Sequence, residues 1–161
     1  MLKQRPAGDK SWPIACSDTT LGTADAELDL MGAHLSYGDF EDATFTGAGA
    51  IKLNGAGLAH ADLSGSKITA GLSSGKALVD FTEADLTNAD LSGSKITAQS
   101  SYYASSKIDF TEATLAKADL SGSELTAKSI IGLAPRSPPA PPPAPPPSPP
   151  APPCTVAMLK Q

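Results

Sequence analysis

The chain has 161 residues and a mass of 16.3 kDa, a length that suits one small-to-medium domain. Its formal net charge of −5 makes it a poor electrostatic partner for nucleic acid, and no apolar run approaches the ~20 residues a membrane-spanning helix needs. Fifteen prolines are present, but twelve fall between Pro138 and Pro153, which leaves about 135 residues to build a packed core.

Residues 1–27 carry neither a regular pattern nor the basic start and apolar block of a secretory signal, so the compartment stays open. Trp12, Pro13, Ile14 and Leu21 are available to cover the open end of whatever follows. Cys16 lies here and the only other cysteine is Cys154. Two cysteines this far apart suggest neither a disulfide framework nor a zinc site, and they read as unlinked thiols, a tether through Cys154 being the alternative.

From Leu28 to Ala127 the sequence repeats. Three near-identical decapeptides begin at Ala61, Ala89 and Ala118, at intervals of 28 and 29 residues. Within them runs a period of five with a large apolar residue at its centre. The centres form four sets: Leu30, Leu35, Phe40, Phe45; Leu53, Leu58, Leu63, Ile68; Phe81, Leu86, Leu91, Ile96; and Phe110, Leu115, Leu120, Leu125. The residues two before the centres line up as well, in columns such as Gly38, Ala61, Ala89, Ala118 and Ala43, Ser66, Ser94, Ser123. Five residues turn an α-helix by about 500°, which makes no stripe, and on a continuous strand they reverse the face. The pattern works if each five holds a short extended piece, whose positions two apart share a face, followed by a corner. Turn formers occupy the corner position in Gly32, Gly65, Asn88, Gly93 and Gly122. Four such pieces close one square turn, and the columns require turns to stack in register.

These A-D-L-x-x quintets resemble the pentapeptide-repeat family. The resemblance implies an all-β fold, a right-handed quadrilateral β-helix of about four turns over residues 28–127. Every central residue and the residue two before it would then point inward. It also implies a structural or protein-interaction role without catalysis. Some members imitate the charge rail of duplex DNA and occupy a topoisomerase, which supplies a second functional reading, an inhibitor of a DNA-binding protein.

The spacing across one corner per turn is 8, 13 and 14 residues instead of 5, so insertions are expected to project from a single corner. There alone the earlier inward residue is large: Leu28, Ile51, Val79 and Ile108. After the repeats, residues 128–135 include Ile130, Ile131 and Leu133, candidates for a C-terminal cap. Residues 136–161 form a proline-rich tail that cannot pack a core and is expected to be a disordered, extended polyproline II rod. It resembles the stalks of wall and surface proteins, a third reading. P-x-x-P recurs in it, the spacing that SH3 and WW modules read.

Catalytic chemistry is hard to assemble. The glycine-rich stretch from Ala70 to Lys76 approximates a phosphate-binding loop, but Ala77 replaces the Ser or Thr that would hold magnesium. His34 and His60 read as solvated surface groups without ligand-spaced partners. No catalytic residue, cofactor or metal site is assigned. The strongest charge feature is a column of carboxylates, Asp39, Asp62, Asp90 and Asp119, within a repeat region carrying 13 acids against 6 lysines. The inserted corner carries Leu72, Tyr102 and Tyr103, and adjacent loop aromatics suit contact with a protein partner of unknown identity.

Overall fold

The computed structural model describes residues 14–71, 75–101 and 104–130. Among them the regular elements are strands: β1 (Thr20–Thr23), β2 (Leu28–Asp29), β3 (Thr44–Ala48), β4 (Ala50–Lys52), β5 (Lys67–Gly71), β6 (Ala77–Asp80), β7 (Lys95–Ser101), β8 (Ser106–Asp109) and β9 (Glu124–Ile130). They form two parallel sheets, ordered β1-β3-β5-β7-β9 and β2-β4-β6-β8. Each strand pairs with the one a full turn away, placing Phe45, Ile68, Ile96 and Leu125 in one row. Leu28, Ile51, Val79 and Ile108 make another. Two further sides are ladders of single-residue bridges, His34–Gly57–Asp85–Thr114 and Ala15–Asp39–Asp62–Asp90–Asp119. The molecule is a four-sided coil in which every side repeats its neighbour's backbone pairing.

The corners explain why a five-residue period bends. The carbonyl of a central residue accepts the amide three positions on, as Leu30 does from Ala33 and Leu58 from Ala61, both at 3.0 Å. The residue two after the centre takes positive φ, the signature of a type II turn. Glycine fills that position at Gly32, Gly55, Gly65, Gly93 and Gly122. Asp18, Tyr37, Asp42, His60, Glu83, Asn88, Glu112 and Lys117 fill it elsewhere, with φ between 53° and 59°. The left-handed region costs a residue with a Cβ roughly 1 kcal/mol, and stacking turns impose it. Aspartate one before the centre offsets part of that cost. Its Oδ1 accepts the amide two residues on, as at Asp62–Ser64, Asp80–Thr82 and Asp90–Ser92, each 2.9 Å. This Asx turn is the physical reason for the Asp of the repeat.

Inside, the small and large columns interlock. Phe40, Leu53, Leu63, Ile68, Phe81, Leu86, Leu91 and Ile96 are buried, as are Ala33, Ala56, Ala61, Ala84 and Ala89. Phe40 and Phe45 pack at a tilt of 52°, and Phe81 stacks on Phe110 with ring centroids 4.7 Å apart. The last turn departs from the expectation that all sixteen centres are interior. Leu115 and Leu125 are 39% and 44% exposed, and Phe110 and Leu120 only pack against the core from its edge, because no further layer lies over them among the described residues.

The coil also starts before Leu28. Cys16 donates its amide to Asp39 O at 2.8 Å as Phe40 does to Asp62 O at 2.7 Å, and Leu21 pairs with Phe45. Cys16 and Leu21 are therefore central residues of a preceding half turn, and Leu21 is part of the coil rather than a lid on it. Cys16 is disulfide-bonded, which corrects the reading of it as an unlinked thiol, and Cys154 lies outside the described residues. Trp12, Pro13, Ile131, Leu133 and the tail lie outside the described residues.

Two buried hydroxyls of the small column, Ser66 Oγ and Ser94 Oγ, have no hydrogen-bond partner. Ser123 at the same position of the last turn donates to Leu120 O at 2.7 Å, and Ala43 fills it in the first turn. Ser66→Ala and Ser94→Ala are each expected to stabilise the fold by about 1 kcal/mol, since an unsatisfied buried polar group is removed without a change of shape. Ser123→Ala is expected to destabilise it, and denaturant midpoints of the three variants check the contrast.

Candidate interaction surfaces

The irregular corner is built from the two sheets running past the square. After each fourth-side centre the strand continues straight, so that Gly47, Ala70 and Ala98 become buried on the side facing Ala50 and Ala77. Only small residues fit: a Cβ on Gly47 would lie 2.4 Å from Ala50 O. Farther out, Ser100 Oγ donates to Ala104 O at 2.5 Å, and Ser106 Oγ accepts the Ser100 amide at 3.0 Å. The Ser106 hydroxyl also lies 2.7 Å from Lys128 O. The insertions are thus the outer ends of a two-sheet wing, stacked in register, with the β5–β6 and β7–β8 connections leaving from the same edge. Leu72, Tyr102 and Tyr103 belong to these connections by sequence but lie outside the described residues.

On the third side Asp39, Asp62, Asp90 and Asp119 face one another across parallel bridges, at the ~4.8 Å spacing of neighbouring strands. Each accepts a backbone amide from its own corner, with distances of 3.2 Å to Glu41, 2.9 Å to Ser64 and Ser92, and 2.8 Å to Ser121. The Asp119 carboxyl is held below its ordinary range chiefly by the Ser121 amide. These carboxylates serve the turns they sit in.

A second column was not apparent as a unit in the sequence. Tyr37, His60, Asn88 and Lys117 occupy the left-handed position of one corner in successive turns. The Tyr37 and His60 rings stack with centroids 4.7 Å apart and planes 5° from parallel. Asn88 Nδ2 lies 3.5 Å from His60 Nε2. Equal offset from the central residue is the signal that groups them. His34 is exposed on the adjoining side. Gly71, at the start of the phosphate-loop-like stretch, allows β5 and β7 to approach, since a Cβ there would meet Gln99 O at 2.7 Å. Among the described residues no three His, Cys, Asp or Glu side chains converge to hold a metal ion.

Two ion pairs lie towards the last turn. Lys95 Nζ lies 2.9 Å from Glu124 Oε2, and that ammonium lowers the Glu124 carboxyl below its usual range. Asp109 is lowered from 3.8 to about 2, first by the hydrogen bond from Lys107 and then by the Thr111 hydroxyl and amide. A carboxyl depressed in the folded state stabilises it above the unfolded pKa. That contribution is lost as pH falls through the folded one. The fourth turn is therefore expected to weaken between about pH 4 and pH 2. NMR titration of Asp109 should give a midpoint near 2, raised in Lys107→Ala.

These features define a class, a four-sided parallel β-solenoid of about four turns with a wing along one corner. Its repeats are similar to those of the pentapeptide-repeat family, whose model, described as pentapeptide repeats (8 copies), matches residues 78–97. Among solved structures the chain is similar to the pentapeptide repeat protein Rfr23 from the cyanobacterium Cyanothece 51142, at 14% identity and a TM-score of 0.21, covering 73% of this chain and 87% of that one. It is also similar to HetL, a pentapeptide repeat protein involved in heterocyst differentiation regulation from Nostoc sp. strain PCC 7120. That match has 17% identity and a TM-score of 0.17, with coverage of 73% and 75%. No curated protein matches the chain.

Proposed function

We propose that this chain is a non-catalytic scaffold that meets a protein partner through the edge of its wing. The observation carrying the reading is that all departures from the five-residue period stack on one corner, while inward positions elsewhere are spent on packing. A surface that repeats in register every turn presents several copies of a loop along one line, as solenoid binding faces do. Leu72, Tyr102 and Tyr103 would be its apolar and aromatic contacts. Crosslinked capture from the native organism with the full chain, followed by identification of the bound protein, supplies the reference. Tyr102→Ser with Tyr103→Ser is expected to reduce recovery of that protein about tenfold or more, with the circular dichroism spectrum and Tm unchanged. Full retention overturns the reading.

The in-register acidic column supports a second reading, a mimic of duplex DNA. In that case Asp62→Asn with Asp90→Asn abolishes partner binding while the tyrosine variant keeps it, and the protein inhibits gyrase supercoiling at micromolar concentration. The use of those carboxylates as turn acceptors favours the wing.

A further inference from the structure

The five-stranded sheet ends on β9, seven residues whose outer edge has no neighbouring strand among the described residues. Glu124 donates its amide to Ser94 O at 2.8 Å, back towards β7. Successive residues of a strand direct their backbone groups to alternate sides, so the amides and carbonyls of Leu125 and Ala127 point to the open edge. The register with β7 runs unbroken and the strand contains no proline. An edge of this kind is a template for one more strand. Glu124, Thr126 and Lys128 stand on its outer face. On its inner face Leu125 is 44% exposed and Ala127 is exposed as well.

The charges on β9 select the strand that fits. Glu124 fills the position held by Lys67 and Lys95 in the two turns before it. It is the one charge reversal among the three decapeptides, and it falls on the last strand of the sheet, four residues before Lys128. We propose that two copies of this chain pair through β9 in an antiparallel dimer, about a two-fold axis that passes through Thr126. In that register Glu124 of each copy lies opposite Lys128 of the other, and Thr126 lies opposite Thr126. All three are non-hydrogen-bonded pairs, the class whose side chains stand closest, with Cα atoms about 4.5 Å apart. Opposite charges and threonine pairs both favour such a contact. Leu125 and the Ala127 of the second copy exchange the two hydrogen bonds that each strand leaves open, and their side chains meet on the inner face. An axis through Leu125 or Ala127 brings no opposite charges together, and one through Glu124 or Lys128 sets like charges face to face. Glu124 then sits between Lys95 of its own chain, at 2.9 Å, and Lys128 of the second copy. Lys128 gains a counter-ion, since it makes no ion pair among the described residues. The dimer does not depend on what the wing binds.

Sedimentation velocity of the full chain at high micromolar concentration tests the proposal, and a dimer is expected. Glu124→Lys and Lys128→Glu each set like charges in both pairs, so each alone is expected to weaken dimerisation about tenfold or more. The first of them restores the residue of the other two decapeptides, which the same place in the coil already accommodates. An equimolar mixture of the two variants returns opposite charges to both pairs and is expected to form a heterodimer. Ala127→Pro removes an amide directed to the open edge and none directed to β7, a place where a strand tolerates proline. It is expected to abolish the dimer and leave the circular dichroism spectrum unchanged. A monomeric wild-type chain overturns the proposal, as does a dimer that both single variants retain, a mixture that stays monomeric, or a dimer that disappears only when disulfides are reduced.

Discussion

Phe81→Ala is expected to lower the stability of the coil by about 3–5 kcal/mol, the range for removing a buried aromatic side chain. Phe81 is fully buried, its ring stacks on Phe110, and its neighbours in the column are Leu53 and Phe110. The backbone around it is held by pairing to the turns on both sides, Leu53 N to Asp80 O and Phe81 N to Asp109 O at 2.7 Å. A layer pinned in this way cannot collapse into the space left behind, so the cavity term is close to its full value. Because each turn touches only its neighbours, the loss also weakens the coupling between the halves of the solenoid. Leu115→Ala, at a site 39% exposed in the last layer, is expected to cost only about 1 kcal/mol, in proportion to the area it buries. Guanidinium unfolding followed by circular dichroism separates the two; equal effects would mean that the interior does not grade from middle to end.

Gly38→Ala is expected to destabilise by about 2–3 kcal/mol, at the upper end of the overpacking range, although alanine is the residue of that column in the other three turns. A Cβ at Gly38 would lie 2.4 Å from Phe40 Cε2 and 2.9 Å from Leu35 O. The first turn uses phenylalanine where the others use leucine, and the ring occupies the volume that Ala61, Ala89 and Ala118 fill elsewhere. Glycine and phenylalanine are therefore a matched pair. Phe40→Leu in the Gly38→Ala background is expected to recover most of the loss, and a double-mutant cycle measures the coupling as about 1–2 kcal/mol. Strict additivity would show that the clash is with the Leu35 carbonyl alone.

What the sequence discloses follows from which forces are local. The period of five, the buried centres and the corner that takes the insertions are all written in residue type, because an inward leucine and a corner glycine are demanded turn by turn. The half turn holding Cys16 and Leu21 is harder to read, since its quintets lack the A-D-L signature and cysteine replaces the large centre. Its trace is the interval of five between Cys16 and Leu21 and of nine between Leu21 and Leu30, close to the shortest wing corner. The partial exposure of Leu115 and Leu125 is a property of position in the stack, which identical quintets cannot reveal. The aspartate column looks like a charge feature from the sequence, and its partners, the amides of Glu41, Ser64, Ser92 and Ser121, become visible only once the corners are built. Tyr37 and His60 are 23 residues apart, and nothing in either residue alone announces that their rings will meet.

The wing also bears on how such a molecule can change over generations. Along three corners the count is fixed, because one residue more or fewer would turn every later side chain from the interior to the outside. Across the fourth, 8, 13 and 14 residues all return the chain to the same register. Added codons can therefore accumulate there without disturbing the ladder, and a foreign epitope spliced between Gly71 and Ala77 would be displayed on a rigid, ready-made mast.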